Sequence, residues 1–151
     1  MLVGILALQG DFAKHSETID LIGEEYRLIK NGSQLTNIDA LILPGGESSS
    51  MNIIQQNEDL FSSIKNIIDN GLPTIGTCAG AILLARNLSN DNRQNLNVLN
   101  VTIERNAYGR QNESFEDYVS IEDMEKEKVC FIRAPKITHV GDNVRIISRL
   151  N

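Results

Sequence analysis

The chain opens on an unbroken apolar run, Val3 to Leu8, cut by Gln9-Gly10-Asp11. After the break the pattern changes period: Phe12, Ser16, Ile19 and Ile22 fall on one helical stripe that Gly23 closes. Strand, loop and helix follow from that change. Tyr26 to Lys30 reads as a second short strand, Asn31-Gly32 as a turn, and Ala40-Leu41-Ile42-Leu43 as a third strand ended by Pro44-Gly45-Gly46. Leu60, Ile64, Ile67 and Ile68 recur at helical spacing ahead of Gly71. Pro73-Thr74-Ile75-Gly76 then reads as a buried strand leading into a helix from Ala79 to Leu88.

Strands alternating with helices at these spacings predict an α/β fold, a parallel sheet with helices on both faces. Beyond Asn90-Asp91-Asn92 the character changes. Val98 to Glu104, Phe115 to Ile121, Lys128 to Ala134 and Val144 to Arg149 look like short strands with no strong helix between them, so a short, mostly antiparallel extension of the same domain is expected. No repeat or linker interrupts residues 1–151. The acidic stretch from Glu113 to Glu127 intersperses Tyr118, Val119 and Ile121 among its charges and reads as a solvated strand and loop.

Composition narrows the function classes. With 151 residues, 41% of them hydrophobic and 23% charged, the chain is one domain's worth of ordinary globular sequence. A net charge of −6 leaves no broad basic field for a phosphate backbone or an anionic membrane, so neither nucleic acid nor membrane is expected as a partner. The apolar start has no basic flank and is too short for a signal peptide or a spanning helix, which points to the cytoplasm. Cys78 and Cys130 show no CxxC spacing and are not expected to pair. Cys130, between Val129 and Phe131, reads as a core residue.

Two turns carry chemistry. Gly76-Thr77-Cys78-Ala79-Gly80 lies where an apolar strand ends and an apolar helix begins, the setting of a nucleophile elbow with cysteine in place of serine. A sharp strand-to-helix turn needs small neighbours, supplied by Gly76 and Gly80. Helix-start N–H groups favour thiolate, and the Ala79 N–H is placed to face an oxyanion. The alternative reading is a small buried cysteine in a tight turn. The second turn, Leu43-Pro44-Gly45-Gly46-Glu47-Ser48, lacks the GxxxxGK[ST] pattern and is no phosphate loop. Its glycines allow close approach of backbone N–H groups to a ligand, and both turns belong at the carboxyl ends of parallel strands, where α/β sites form.

Five segments together resemble the glutaminase subunits of pyridoxal 5′-phosphate synthase: VGILALQG (Val3 to Gly10), LILPGGES (Leu41 to Ser48), GTCAG (Gly76 to Gly80), ERNAYGRQ (Glu104 to Gln111) and FIRAP (Phe131 to Pro135). GGES with GTCAG is similar to class I glutamine amidotransferases at large, whereas RNxYGRQ and FIRAP narrow the resemblance to the vitamin B6 branch. The resemblance implies a flavodoxin-like architecture, hydrolysis of L-glutamine to glutamate, and ammonia passed to a separate synthase subunit, with no metal or organic cofactor. By resemblance Cys78 is the nucleophile and the Gly46 and Ala79 backbones form the oxyanion hole. Gly45, Gly46 and Glu47 line the glutamine site, Arg105 is a glutamine-binding arginine, and Ile132-Arg133 contact substrate. A guanidinium fork suits an amino-acid carboxylate, or a carboxylate that orients it.

One departure matters. The resemblance calls for a His-x-Glu pair on a late strand to complete a Cys-His-Glu triad, and none occurs in residues 1–151. His15 is followed by Glu17, but residues two apart on a helix point to different faces, so His15 reads as a helix residue near the sheet edge. His139 falls in an expected loop, Thr138 to Asp142, and reads as solvated. The expectation is therefore a domain that lacks a last strand and C-terminal helix, leaving apolar sheet surface uncovered, and that is severely impaired in turnover. The alternative function is a catalytically silent subunit that binds the synthase. A different cysteine hydrolase of the same fold is disfavoured by RNxYGRQ and FIRAP. Ser49 and Lys136 stand where threonine and histidine are frequent in that family, departures that bear on substrate or partner contact.

Overall fold

The computed structural model describes residues 1–46, 56–89, 91–105, 107, 115–122, 126–131 and 134–150. In chain order these form β1 (Leu2–Leu6), α1 (Phe12–Leu21), β2 (Glu25–Ile29), a 3-10 turn (Gly32–Leu35), β3 (Ala40–Leu43), α2 (Glu58–Asp69), β4 (Thr74–Gly76) and α3 (Ala79–Leu84). Six strands follow: β5 (Ala85–Leu88), β6 (Leu99–Glu104), β7 (Phe115–Ile121), β8 (Glu127–Phe131), β9 (Lys136–Val140) and β10 (Ser148–Arg149).

The strand order β2-β1-β3-β4 makes a four-stranded sheet with every pairing parallel. Alternation along the strands divides the core in two. Val3, Ile5 and Ile42 point to one face, where Ile19 of α1 covers them with Phe12 and Leu28 alongside. Leu6, Ile29, Leu41 and Leu43 point to the other, against Leu60, Phe61 and Ile64 of α2 and the apolar residues of α3. Both faces of the central strands are buried, which is why they read as continuous apolar runs rather than alternating ones. At the β4 edge the cover gives out, and Ile75 is 61% exposed.

Helix α2 starts where its sequence dictates. The Asn57 carboxamide oxygen accepts the Leu60 N–H at 3.1 Å, and Glu58 and Asp59 place negative charge in the first turn. The cap alone contributes about 1 kcal/mol. The helix ends at Asn70 and Gly71, the latter at φ +93°.

Beyond the parallel sheet lie two three-stranded sheets, β5-β6-β9 and β10-β7-β8. The expected antiparallel character holds for β6 with β9, β7 with β8 and β7 with β10, whereas β5 pairs parallel to β6. Several boundaries differ from the sequence reading. The helix expected from Ala79 to Leu88 stops at Leu84, because Ala85 turns extended (ψ 149°) and residues 85–88 take up a ladder with β6. Asn87 is a poor helix former, so the ladder costs little to accept. His139 lies in a strand rather than a loop, paired with Thr102. Four of the five β9 residues are exposed, so no buried face marked it. The strand expected from Val144 shrinks to Ser148–Arg149. Cys130 is exposed rather than core, because β8 buries little: its partly buried residues are Val129 and Phe131, the latter stacked on Phe115 at 4.9 Å.

Candidate active site

Strands β3 and β4 end side by side, with Leu43 opposite Gly76, and the two glycine-bearing turns leave from that shared end. The Thr77 N–H donates to the Leu43 carbonyl at 3.1 Å, the last rung before the chain turns. Cys78 then sits at φ +47°, ψ −104°. The other non-glycine residues at positive φ among those described are Asn37, Asn97 and Asn143, a type that tolerates the region; Cys78 has no such excuse and is the strained one. Close packing holds it there. A Cβ on Gly80 would lie 1.9 Å from the Leu43 carbonyl oxygen, and one on Gly76 would lie 2.7 Å from the Gly80 carbonyl. The elbow expected from the pentad is therefore formed, and its thiol is exposed rather than buried in a core.

Behind the thiol the Gly80 N–H donates to the Thr77 carbonyl at 2.8 Å and the Ile82 N–H to the Cys78 carbonyl at 3.2 Å. Ala79, first residue of α3, has an N–H with no intrahelical acceptor, as every helix start must. The second turn runs directly against the cysteine: a Cβ on Gly45 would lie 3.1 Å from Cys78 Cβ. Its peptide is anchored at both ends. The Gly45 N–H donates to Thr77 Oγ1 at 2.9 Å, and the Gly45 carbonyl accepts the Asp11 N–H at 3.0 Å. Thr77 Oγ1 also lies 3.3 Å from His15 Nε2.

The structure thus gathers Cys78, Ala79, Gly45 and Gly46 at one strand end. Glu47, Ile132 and Arg133 lie outside the described residues. Arg105, at the end of β6, is engaged elsewhere: its guanidinium bonds the Asp91 carboxylate, and both side chains are 14% exposed. Arg93 adds its Nε at 3.1 Å and its backbone N–H at 3.0 Å to the same carboxylate. Burial pushes the Asp91 acid up, but the Arg105 bond, the Arg93 amide and the two guanidinium charges outweigh it and hold the carboxyl below its usual range. Of the two partners foreseen for Arg105, the orienting carboxylate is the one present. The 91–98 segment is tied to α3 through Leu96 N–H to Leu83 carbonyl (2.8 Å) and Val98 N–H to Leu84 carbonyl (3.1 Å), so the Asp91–Arg105 pair is anchored on the helix that follows Cys78.

Sequence reasoning missed Asp11, Thr77 and Asp91, and took His15 for a bystander. Thr77 lies inside the pentad, and its hydroxyl beside the cysteine was a usable signal; the other three are brought in only by the fold. Glu17 does not orient His15, since it bonds Lys14 Nζ at 2.8 Å. Among the described residues no group of three His, Cys, Asp or Glu side chains converges as a metal site.

Residues 5–151 match the model of the SNO glutamine amidotransferase family. The chain belongs to the SNO glutamine amidotransferase family. Relatives in this family include the pyridoxal 5′-phosphate synthase subunit PdxT of Thermotoga maritima, 45% identical over 150 residues that cover 98% of this chain and 80% of the relative. The PdxT of Dictyoglomus turgidum is 44% identical over 149 residues, covering 97% and 78%. A crystal structure of a glutamine amidotransferase superposes with a TM-score of 0.90 at 37% identity, covering 98% of this chain and 79% of that one. PurLQS from Thermotoga maritima, at 14% identity and a TM-score of 0.71, shares the fold alone. The SNO family assignment agrees with the α/β, mostly parallel architecture and with the cysteine elbow at its centre.

Proposed function

We propose that the protein hydrolyses L-glutamine to L-glutamate and ammonia through a thioester on Cys78, and that the ammonia passes to a separate synthase subunit for pyridoxal 5′-phosphate formation. The observation that carries this reading is the strained, exposed cysteine with the Gly45 backbone packed against it, in a chain of the glutamine amidotransferase family.

The chemistry runs in two halves. The Cys78 thiolate attacks the side-chain carbonyl carbon of glutamine, forming a C–S bond and an oxyanion that the Gly46 and Ala79 N–H groups stabilise. Collapse of that intermediate breaks the C–N bond, and the leaving nitrogen takes a proton to depart as ammonia. Water then attacks the thioester, the C–S bond breaks, and glutamate leaves with the thiol restored. Both halves need a proton carrier. His15 contacts Thr77 rather than Cys78, and residues 1–151 contain no His-x-Glu pair on a late strand. A polypeptide of these 151 residues alone is therefore expected to turn over glutamine at a small fraction of the rate of a protein carrying that pair, with about four orders of magnitude at stake. Arg105, oriented by Asp91, is assigned to the glutamine carboxylate, with Glu47, Ile132 and Arg133 completing the pocket by resemblance.

The test is glutamate and ammonia release by the full-length protein mixed with the synthase subunit, with Cys78→Ala beside the wild type. A loss of at least about 10⁴-fold in kcat is expected for the variant. A mass increment on the Cys78 peptide after treatment with a glutamine analogue bearing a leaving group would identify the acyl site. Undiminished release by Cys78→Ala would overturn the proposal.

A further inference from the structure

Thr77 is the side chain through which a helix on one side of the sheet reaches the backbone beside the nucleophile. Its hydroxyl accepts the Gly45 N–H at 2.9 Å and meets His15 Nε2 at 3.3 Å. A threonine hydroxyl offers one donor and two lone pairs. With the Gly45 N–H on one lone pair, the hydroxyl keeps its own O–H and a second lone pair, so it can bond Nε2 in either imidazole tautomer. Gly45, Thr77 and His15 thus form one connected chain. On its far side the Gly45 peptide is held by the Asp11 N–H, which donates to the Gly45 carbonyl at 3.0 Å. Asp11 immediately precedes α1, and His15 is four residues further along, so both clamps on Gly45 belong to the same helix start. The space is tight as well: Gly10, at φ +91°, lies so close that a Cβ there would be 2.0 Å from the Gly45 carbonyl oxygen.

The consequence concerns the next peptide group. No peptide bond in the described chain is cis, so the Gly46 N–H points opposite to the Gly45 carbonyl, away from Asp11. Fixing the carbonyl and the Gly45 N–H together fixes that direction. An oxyanion donor lowers a barrier only to the extent that it is already aimed when charge develops. Two consecutive glycines provide no rotational restraint of their own, so the restraint must come from outside the turn.

We propose that His15 is a positioning residue for glutamine hydrolysis: by holding the Thr77 hydroxyl it fixes the Gly45–Gly46 backbone against Cys78. The role rests on the glutaminase reading, but the anchoring it requires is measurable without turnover. His15 does not touch the reacting atoms and is not the general base.

The variants are His15→Ala, His15→Gln, whose amide reaches the position of Nε2, and Thr77→Val, which removes the acceptor while keeping the shape. In the full-length protein with the synthase subunit, His15→Ala is expected to lower kcat about tenfold with KM within about twofold. Thr77→Val should approach the roughly 10²-fold loss of a missing oxyanion donor, and His15→Gln should recover most of the wild-type kcat. Without any substrate, amide hydrogen exchange at Gly45 should quicken about tenfold or more in His15→Ala and Thr77→Val and return toward wild type in His15→Gln. Alkylation of Cys78 by iodoacetamide, which develops no oxyanion, should stay within about twofold throughout and reports an intact elbow. Unchanged Gly45 exchange in His15→Ala would overturn the anchoring, whatever the turnover. A loss near 10⁴-fold that His15→Gln fails to recover would overturn positioning in favour of proton transfer. A wild-type complex that releases no ammonia would instead overturn the glutaminase reading, leaving the exchange result to decide the anchor.

Discussion

The parallel sheet and the strands that follow it are built on different economies of burial. In β1 and β3 nearly every residue is buried, because α1 lies on one face and α2 with α3 on the other. In β7, β8 and β9 most residues are exposed, and after Ala85 the buried apolar residues among those described are Leu96, Val101, Ile103 and Val119. The site lies at the carboxyl end of the first region, where β3 and β4 stop. Strain at Cys78 is affordable there because the surrounding strands are over-determined by packing. The second region holds Arg105, the residue proposed for the glutamine carboxylate, in an ion pair with Asp91 rather than in a hydrophobic surround.

That contrast is open to direct attack. The largest effect is expected at Gly80, whose Cβ has no room beside the Leu43 carbonyl. Gly80→Ala should cost about 3 kcal/mol or more in urea unfolding and disturb the elbow with it. Next comes the core. Leu41→Ala, at a fully buried position on β3, should cost about 2–5 kcal/mol, whereas Tyr118→Ala on β7, 61% exposed, should cost less than about 1 kcal/mol. Similar losses in the two would remove the distinction between the regions.

A pH dependence sharpens the comparison further. The Asp91 carboxyl is held below its ordinary value of 3.8, so its ion pair contributes fully above that pH and is lost as pH falls through the lower folded-state value. Thermal unfolding of the wild type should therefore lose stability below about pH 4 more steeply than Asp91→Asn, which lacks that titration. Parallel acid profiles would show that the pair contributes nothing. The smallest effect is expected at the Lys128–Glu116 contact on β7 and β8, where both side chains are more than half exposed. Lys128→Gln should shift stability by no more than about 0.5 kcal/mol.

Legibility followed the same division. The termini of β1, α1, β3 and α2 were readable to within about two residues, because each element carries either an unbroken apolar run or a clear 3.6-residue stripe. The helix after Cys78 was readable at its start and not at its end. Apart from Asn87, nothing local distinguishes Ala85-Arg86-Asn87-Leu88 from more helix until β6 arrives to pair with it. Strand β9 was passed over because Lys136-Ile137-Thr138-His139 has no buried face, its existence depending on the edge that β6 offers. In the site, Cys78 and Ala79 were legible from Gly76 and Gly80 around the cysteine, and Gly45 and Gly46 from the glycine pair that ends the third strand. Asp91 was not, being fourteen residues from Arg105 in a segment with no period.

By itself the sequence determined that residues 1–89 alternate strand and helix and that Cys78 belongs at a strand end. It also determined that a glycine pair closes the neighbouring strand, and that residues 1–151 hold no late His-x-Glu pair. Those are local facts, set by period, by residue size and by what each backbone conformation permits. Only the tertiary structure decided that His15, sixty-two positions away, meets Thr77, that Asp11 clamps the Gly45 carbonyl, and that Arg105 finds Asp91. Such contacts depend on how a helix lies across a sheet and where two strand ends coincide, a geometry fixed by the burial of Ile19 and Leu43 rather than by any property of the polar residues themselves.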